Sequence, residues 1–181
     1  MKRDIRGMKI ALTGEMRSGK DTIADYLQKE YYFTRFAFGD AIKFYCEAIF
    51  PGVTKNGQKP RALYQEFGQF CRQFDPDVWV NYLFREMERT INAGLSVVIT
   101  DLRQPNEYNA LLKAGFAIVR VNTKTAYRIL RMKESGDSFK LEDLQHETES
   151  HIRSFDVDFE LYNNDSLKEL YSQVDVMLTN I

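Results

Sequence analysis

The chain is poor in the residues that staple a protein or bind metal. Among 181 residues there are two cysteines, Cys46 and Cys71, and two histidines, His146 and His151. They form no CxxC pair and no Cys/His cluster, which excludes a disulfide scaffold and argues against zinc. The unpaired cysteines fit a reducing compartment. No stretch approaches the roughly eighteen consecutive apolar residues of a membrane helix. Met1–Met8 is polar and lacks the hydrophobic region of a secretion signal. No repeat, low-complexity tract or long Pro/Gly-rich linker divides the chain. A net charge of −1 provides no field to attract a polynucleotide or an anionic membrane. The expectation is a soluble, cytoplasmic chain forming one domain over residues 1–181, with neither nucleic acid nor membrane as partner.

The residues that are present suit a folded core. The composition is 44% hydrophobic and 28% charged, with thirteen Phe, ten Tyr and one Trp. Charge is uneven: Lys2, Arg3, Arg6, Lys9, Arg17 and Lys20 face only Asp4 and Glu15 in the first twenty residues, whereas residues 137–175 hold eleven acids and three bases.

Short apolar runs alternate with longer segments of helical spacing. Strands are expected at Lys9–Leu12, Arg35–Phe38, Ser96–Thr100, Ala117–Val121 and Asp156–Phe159. Helices are expected at Lys20–Tyr31, Asp40–Phe50, Arg61–Phe74, Asp77–Ala93, Asn106–Ala114, Thr125–Ser135, Glu142–Ile152 and Ser166–Leu178. In Asp77–Ala93, for example, Val80, Leu83, Phe84, Met87 and Ile91 recur at helical intervals between charged residues. Ser96–Thr100 is a β-branched run typical of a strand buried on both faces. Such alternation predicts an α/β three-layer sandwich with a five-stranded parallel sheet, joined by right-handed crossovers. Ligands of such folds bind beyond the carboxyl ends of the strands.

One segment there carries chemistry. Lys9–Thr13 leads into Gly14–Glu15–Met16–Arg17–Ser18–Gly19–Lys20–Asp21–Thr22, which reads strand, G-x-x-x-x-G-K, helix. Gly14 and Gly19 let the backbone turn tightly against a ligand. The loop N–H groups and the helix N-terminus suit phosphate oxygens, with Arg17 and Ser18 in the loop and Lys20 between the β- and γ-phosphates. The usual hydroxyl after the lysine is replaced by Asp21, with Thr22 one place later. Asp21 is therefore expected either to hold a magnesium ion through water or to orient Lys20, and Thr22 to bond a phosphate. A second element, Val97–Arg103, is an apolar strand ending in Asp101. This Walker B arrangement holds magnesium through water or orients a nucleophile, and Arg103 follows at the same strand end.

These residues resemble the bacteriophage-type deoxynucleoside monophosphate kinases, which also place Asp-Thr after the P-loop lysine. Ser18–Leu27, Leu63–Gly68, Asp77–Val80, Thr100–Gln104, His146–Glu149 and Asn164–Leu167 are similar to that family's segments, in order. A longer insertion in the phage enzymes is reduced here to about Phe50–Arg61. The resemblance implies a P-loop NTPase fold of the nucleoside monophosphate kinase type that uses ATP and magnesium, with a substrate-binding helical insertion at about residues 40–93 and a lid at about 125–150.

It also implies roles. ATP sits on Gly14–Thr22, and the metal is served by Asp21, Thr22 and Asp101. The acceptor monophosphate is gripped by Arg61, Arg72 and Arg103, with Asp40 and Lys43 as weaker candidates, and Trp79 stacks on or packs beside the base. Arg128 and Arg131, three residues apart on one helix and followed by a break at Gly136–Lys140, resemble the basic lid that keeps water out during transfer. Lys20, Asp101, Arg103, Arg128 and Arg131 form the expected catalytic set. His146 with Glu149 reads as a structural brace. Two other readings stay open: a kinase of dephospho-coenzyme A or a phosphorylated alcohol, for which Asp40 would serve as base, and a nucleotide-binding protein without transfer activity. A GTPase is disfavoured because no Asn-Lys-x-Asp motif is present. Base, sugar and assembly as a homodimer are left undetermined.

Overall fold

Alternating side chains explain the layers. On the strand β1 (Lys9–Thr13), Ile10 and Leu12 point to one face and Ala11 to the other. On β3 (Val97–Leu102), Val98 joins the first face while Val97 and Ile99 join the second. On β4 (Ala117–Asn122), Val119 and Val121 face the first and Ile118 the second. With apolar residues on both faces, each strand needs cover on both sides. One side is covered by α1 (Lys20–Tyr31), through Ile23, Ala24 and Leu27, and by α8 (Leu167–Asn180), through Leu170, Val174, Met177 and Leu178. The other is covered by α4 (Val78–Asn92), through Val80, Leu83 and Met87, and by α5 (Pro105–Lys113), through Leu111. Burying each large aliphatic side chain contributes about 1.5–3 kcal/mol.

The computed structural model describes residues 5–54, 60–134 and 147–181. Between the elements above lie β2 (Thr34–Phe36), α2 (Phe38–Ile49), α3 (Arg61–Phe74), α6 (Thr125–Glu134), α7 (Glu147–Ser154) and β5 (Phe159–Tyr162). All five strands are parallel in the order β2-β3-β1-β4-β5. The expected α/β three-layer sandwich with a five-stranded parallel sheet is thus the observed fold. No helix among the described residues is long and apolar enough to cross a membrane.

Strand bounds differ from expectation by one to three residues, and two of the shifts have a side-chain cause. The second ends at Phe36, because the N–H groups of Phe38 and Gly39 donate to the Asp101 carboxylate (both 2.8 Å) and start α2 there. The last begins at Phe159, because the Asp158 carboxylate accepts from Ile118 N (2.7 Å) just before Phe159 pairs with Val119. Residues 142–146 of the expected acidic helix, the Gly136–Lys140 break and His146 lie outside the described residues. So do residues 55–59, within the shortened segment at about Phe50–Arg61.

A third, smaller core of Ala41, Ile42, Cys46 and Trp79 lies between α2, α3 and α4. The helix α3 packs against it through the half-buried Leu63, Tyr64, Phe67 and Cys71, and Gly68 is its one fully buried residue.

Candidate active site

β1 ends in the middle of the sheet, so the loop that follows has strand ends on both sides. Five consecutive carbonyls of this loop accept hydrogen bonds from side chains. Lys20 Nζ donates to the oxygens of Gly14 (2.6 Å) and Glu15 (2.9 Å). Arg128 Nε donates to Met16 O (2.8 Å), and an Arg131 guanidinium nitrogen to Arg17 O (3.3 Å). Ser18 O accepts from Thr123 Oγ1 and Asn163 Nδ2, both at 2.9 Å. Peptide units whose oxygens point into the protein turn their N–H groups the other way, which makes an anion-binding concavity. Arg17 takes part with a left-handed φ of 62°.

Glycine is required at both ends of the loop. A Cβ on Gly14 (φ 141°) would stand 2.5 Å from Val121 O, and one on Gly19 (φ 105°) 2.1 Å from Asn163 Nδ2. Gly19 therefore admits the asparagine that fixes Ser18. Lys20 is 8% exposed and Ser18 fully buried.

In front of the loop is a cavity of about 770 Å³. Seven basic side chains line it, Arg17, Lys20, Arg35, Lys43, Arg61, Arg103 and Arg131, against the carboxylates of Asp21, Asp101 and Glu134. Thr22, Tyr64, Gln65 and Thr100 complete much of the wall. The cations come from the P-loop, α1, β2, α2, α3, the end of β3 and α6, so the chain converges positive charge from elements far apart in sequence.

Asp101 lies at the floor. Burial raises its carboxyl above the usual range, and the N–H groups of Gly39 and Phe38, together with Arg103, oppose the rise. Each oxygen already accepts one backbone N–H, so a cation would find it oriented but without further protein ligands. No cluster of three or more His, Cys, Asp or Glu side chains suited to a metal occurs among the described residues. Asp21 and Thr22 lie on the cavity wall beside it. Such a set fits a magnesium ion that takes most of its ligands from phosphate and water.

Most expected site residues meet at this cavity, but six do not line it: Gly14 and the fully buried Ser18 of the loop, and the side chains of Trp79, Arg72, Arg128 and Asp40. Trp79 is 4% exposed, donates Nε1–H to Gly68 O (3.1 Å) and packs by Phe67. It is a core residue, and its ring is not presented to a ligand. Arg72 does not line the cavity; its guanidinium lies 3.5 Å from the Glu107 carboxylate. Arg128 is 3% exposed and is held by Met16 O and the Glu15 carboxylate, so it braces the loop from behind instead of covering the cavity. Asp40 pairs with Lys43 at 2.7 Å and lines a neighbouring cavity of about 540 Å³ with Phe44, Tyr82 and Glu86. Arg131, its companion in the expected lid, does reach the wall and also binds Asn163.

Sequence reading missed Arg35, Asn163 and Glu107. Arg35 donates to Asp21 Oδ1 (2.9 Å) and Thr100 Oγ1 (3.3 Å), which gives the unusual P-loop aspartate a partner. Nothing in a three-residue strand marks this arginine in the sequence. Asn163 follows the last strand without a motif. Glu107 could have been found as the third residue of the helix opened by Gln104, where a capping box places Gln or Glu.

Residues 10–152 match the model of a family described as an AAA domain, and the chain belongs to that family. No curated protein matches it in sequence. A sugar kinase from Janibacter sp. HTCC2649 is similar in structure, with a TM-score of 0.62, 14% identity, and 96% of this chain and 95% of that chain covered. The shikimate kinase of Acinetobacter baumannii, in complex with shikimate, gives 0.61 at 16% identity, covering 96% and 94%. A gluconokinase from Sinorhizobium meliloti 1021 gives 0.57 at 14% identity, covering 96% and 93%. At these identities the likeness is one of fold, the P-loop kinase fold.

Proposed function

We propose that this AAA-family chain transfers the γ-phosphoryl group of ATP to the phosphate of a nucleoside monophosphate or deoxynucleoside monophosphate. The carrying observation is the charge of the shared cavity. A triphosphate on the loop is served by Lys20, Arg17 and the loop N–H groups. Lys43, Arg61 and Arg103 come from α2, α3 and the β3 end, which suits a second phosphate. A phosphate acceptor needs no general base, and two of the three carboxylates on this wall are already engaged. Asp101 is engaged by two backbone N–H groups, and Asp21 is paired with Arg35. Lys20 would neutralise charge as the phosphoryl group moves, and the arginines would align the acceptor for in-line attack. Magnesium, held near Asp21, Thr22 and Asp101, would supply further neutralisation of the transferred group.

A cytoplasmic location goes with this reading, since both substrates are cytoplasmic metabolites. The alternative is an alcohol acceptor, of which the shikimate kinase neighbour's substrate is an example; it would need a base, and Asp40 is the candidate from the adjoining cavity.

The test is a coupled ADP-release assay with ATP–Mg and a panel of ribo- and deoxynucleoside monophosphates, with Lys20→Ala as control. Lys20-dependent turnover of one or more monophosphates is the expected result. If ATP binds but only alcohols are phosphorylated, and Asp40→Asn abolishes that activity, the monophosphate reading is wrong.

A further inference from the structure

The turn between β3 and α5 has a feature that a surface helix cap does not need. Glu107 Oε2 accepts from the N–H groups of Arg103 (3.0 Å) and Gln104 (2.9 Å). Its Oε1 lies 3.5 Å from Arg72 of α3. The residue is 3% exposed and its partner Arg72 is half-buried, so this carboxylate is not solvated at a helix start. On the other side, α3 packs on the small third core through the half-buried Leu63, Tyr64, Phe67 and Cys71. Its one buried residue is Gly68, whose carbonyl accepts from Trp79. A Cβ at Gly68 would stand 3.0 Å from Ile42 Cδ1 and 3.3 Å from Arg72 Nη1, so the glycine lets α3 pack close on α2 and also leaves room for the guanidinium.

We infer that Glu107 is a positioning residue for the acceptor side of the site: one carboxylate fixes the backbone that presents Arg103 and, through Arg72, ties α3 and its Arg61 to the same turn. The inference rests on the proposed reaction only where it treats Arg103 and α3 as the acceptor wall. Charge is what joins the two halves. A neutral side chain of the same shape keeps the N–H contacts and loses the pull on Arg72. The groups facing Glu107 are Asp101 from β3, Arg72 from α3 and the backbone N–H groups of Arg103 and Gln104. Burial, then Asp101, pushes its carboxyl up to about 7, with the two N–H groups and Arg72 opposing. The joint is therefore charged on the alkaline side of neutrality and neutral on the acid side.

The experiment compares Glu107→Gln, Arg72→Met and the double variant, after thermal unfolding has shown each to be folded. Each single change is expected to raise the acceptor KM about tenfold or more while the ATP KM stays nearly constant, and the double change to be no worse than either single one. In the wild type, kcat/KM for the acceptor falls as pH drops through about 7, in part through the acceptor phosphate's own ionisation, which is common to both proteins. The ratio of wild type to Glu107→Gln cancels that shared part and is expected to fall as pH drops through the same range. Equal losses for ATP and acceptor, additive effects, or a ratio that does not change with pH would reduce Glu107 to a plain helix cap and overturn the inference. Amide exchange keeps the test independent of which acceptor is used, and so of the proposed reaction. Loosening of Arg61–Phe74 together with Arg103 and Gln104 in Glu107→Gln supports the joint, and loosening of the turn alone overturns it.

Discussion

Around Gly14–Ser18, five successive carbonyls are bound by side chains from α1, α6 and the ends of β4 and β5, whereas α3, which brings Arg61, Tyr64 and Gln65 to the same cavity, buries only Gly68. The donor loop is held by directed hydrogen bonds, and the acceptor wall mainly by half-buried apolar packing of Leu63, Tyr64, Phe67 and Cys71. The difference follows from what each must do. A triphosphate loop has to present the same N–H groups at every turnover, so its carbonyls are tied down at fixed positions in the surrounding fold. An acceptor wall has to admit and release a second ligand, and a helix with few buried contacts moves at small cost.

Four changes would break or sharpen this contrast. The largest effect is expected from Glu107, in a measurement of stability against pH. Because its folded carboxyl titrates near 7 against a usual 4.5, its contribution is fully present below about 4.5 and is lost as pH rises through about 7. The wild type should lose up to about 3 kcal/mol over that span from this group, and Glu107→Gln should flatten the slope in chemical denaturation. Next, Gly19→Ala forces a strained φ and displaces Asn163, costing about 1–3 kcal/mol. ATP affinity should fall with it while any acceptor affinity measured separately holds, because the damage is confined to the donor loop. Third, Trp79→Phe leaves Gly68 O without its donor and should lower stability by about 1–2 kcal/mol. Fluorescence on adding acceptor should show no ring stacking on wild-type Trp79; strong quenching by a base, and a raised acceptor KM in the variant, would contradict its place in the core. Smallest is Arg35→Ala. Its pair with Asp21 is exposed on both sides, so stability should change by less than about 1 kcal/mol. A change in KM without a change in unfolding would then locate Arg35 among the ligand contacts.

Local chemistry was legible in the sequence, and partnership was not. The glycines, Lys20 and the strand–loop–helix order of the donor loop can be read from adjacent letters, as can helices whose apolar residues recur at fixed intervals. Several helix bounds fell where the spacing put them, α1 at Lys20–Tyr31 and α3 at Arg61–Phe74 among them. The last strand was set three residues early because Asp158 uses its side chain to close the ladder, an exchange invisible in hydropathy. Arginines were the hardest residues to place. Arg72 and Arg128 satisfy the same pattern as Arg61 and Arg131, but a carboxylate waits for each of the first pair, the buried Glu107 and the half-buried Glu15. Which cation faces the ligand is decided by acids more than thirty residues away, and no local rule reports them.

The bond from Asn163 to Ser18 spans 145 positions of chain. Thr123 also holds Ser18 O, so the end of the last strand adds a second tie to a loop that α1, α6 and the end of β4 already hold. A chain cut before Phe159 would keep every letter of the phosphate-binding motif and lose that tie, together with the Asn163 contacts that steady Arg131.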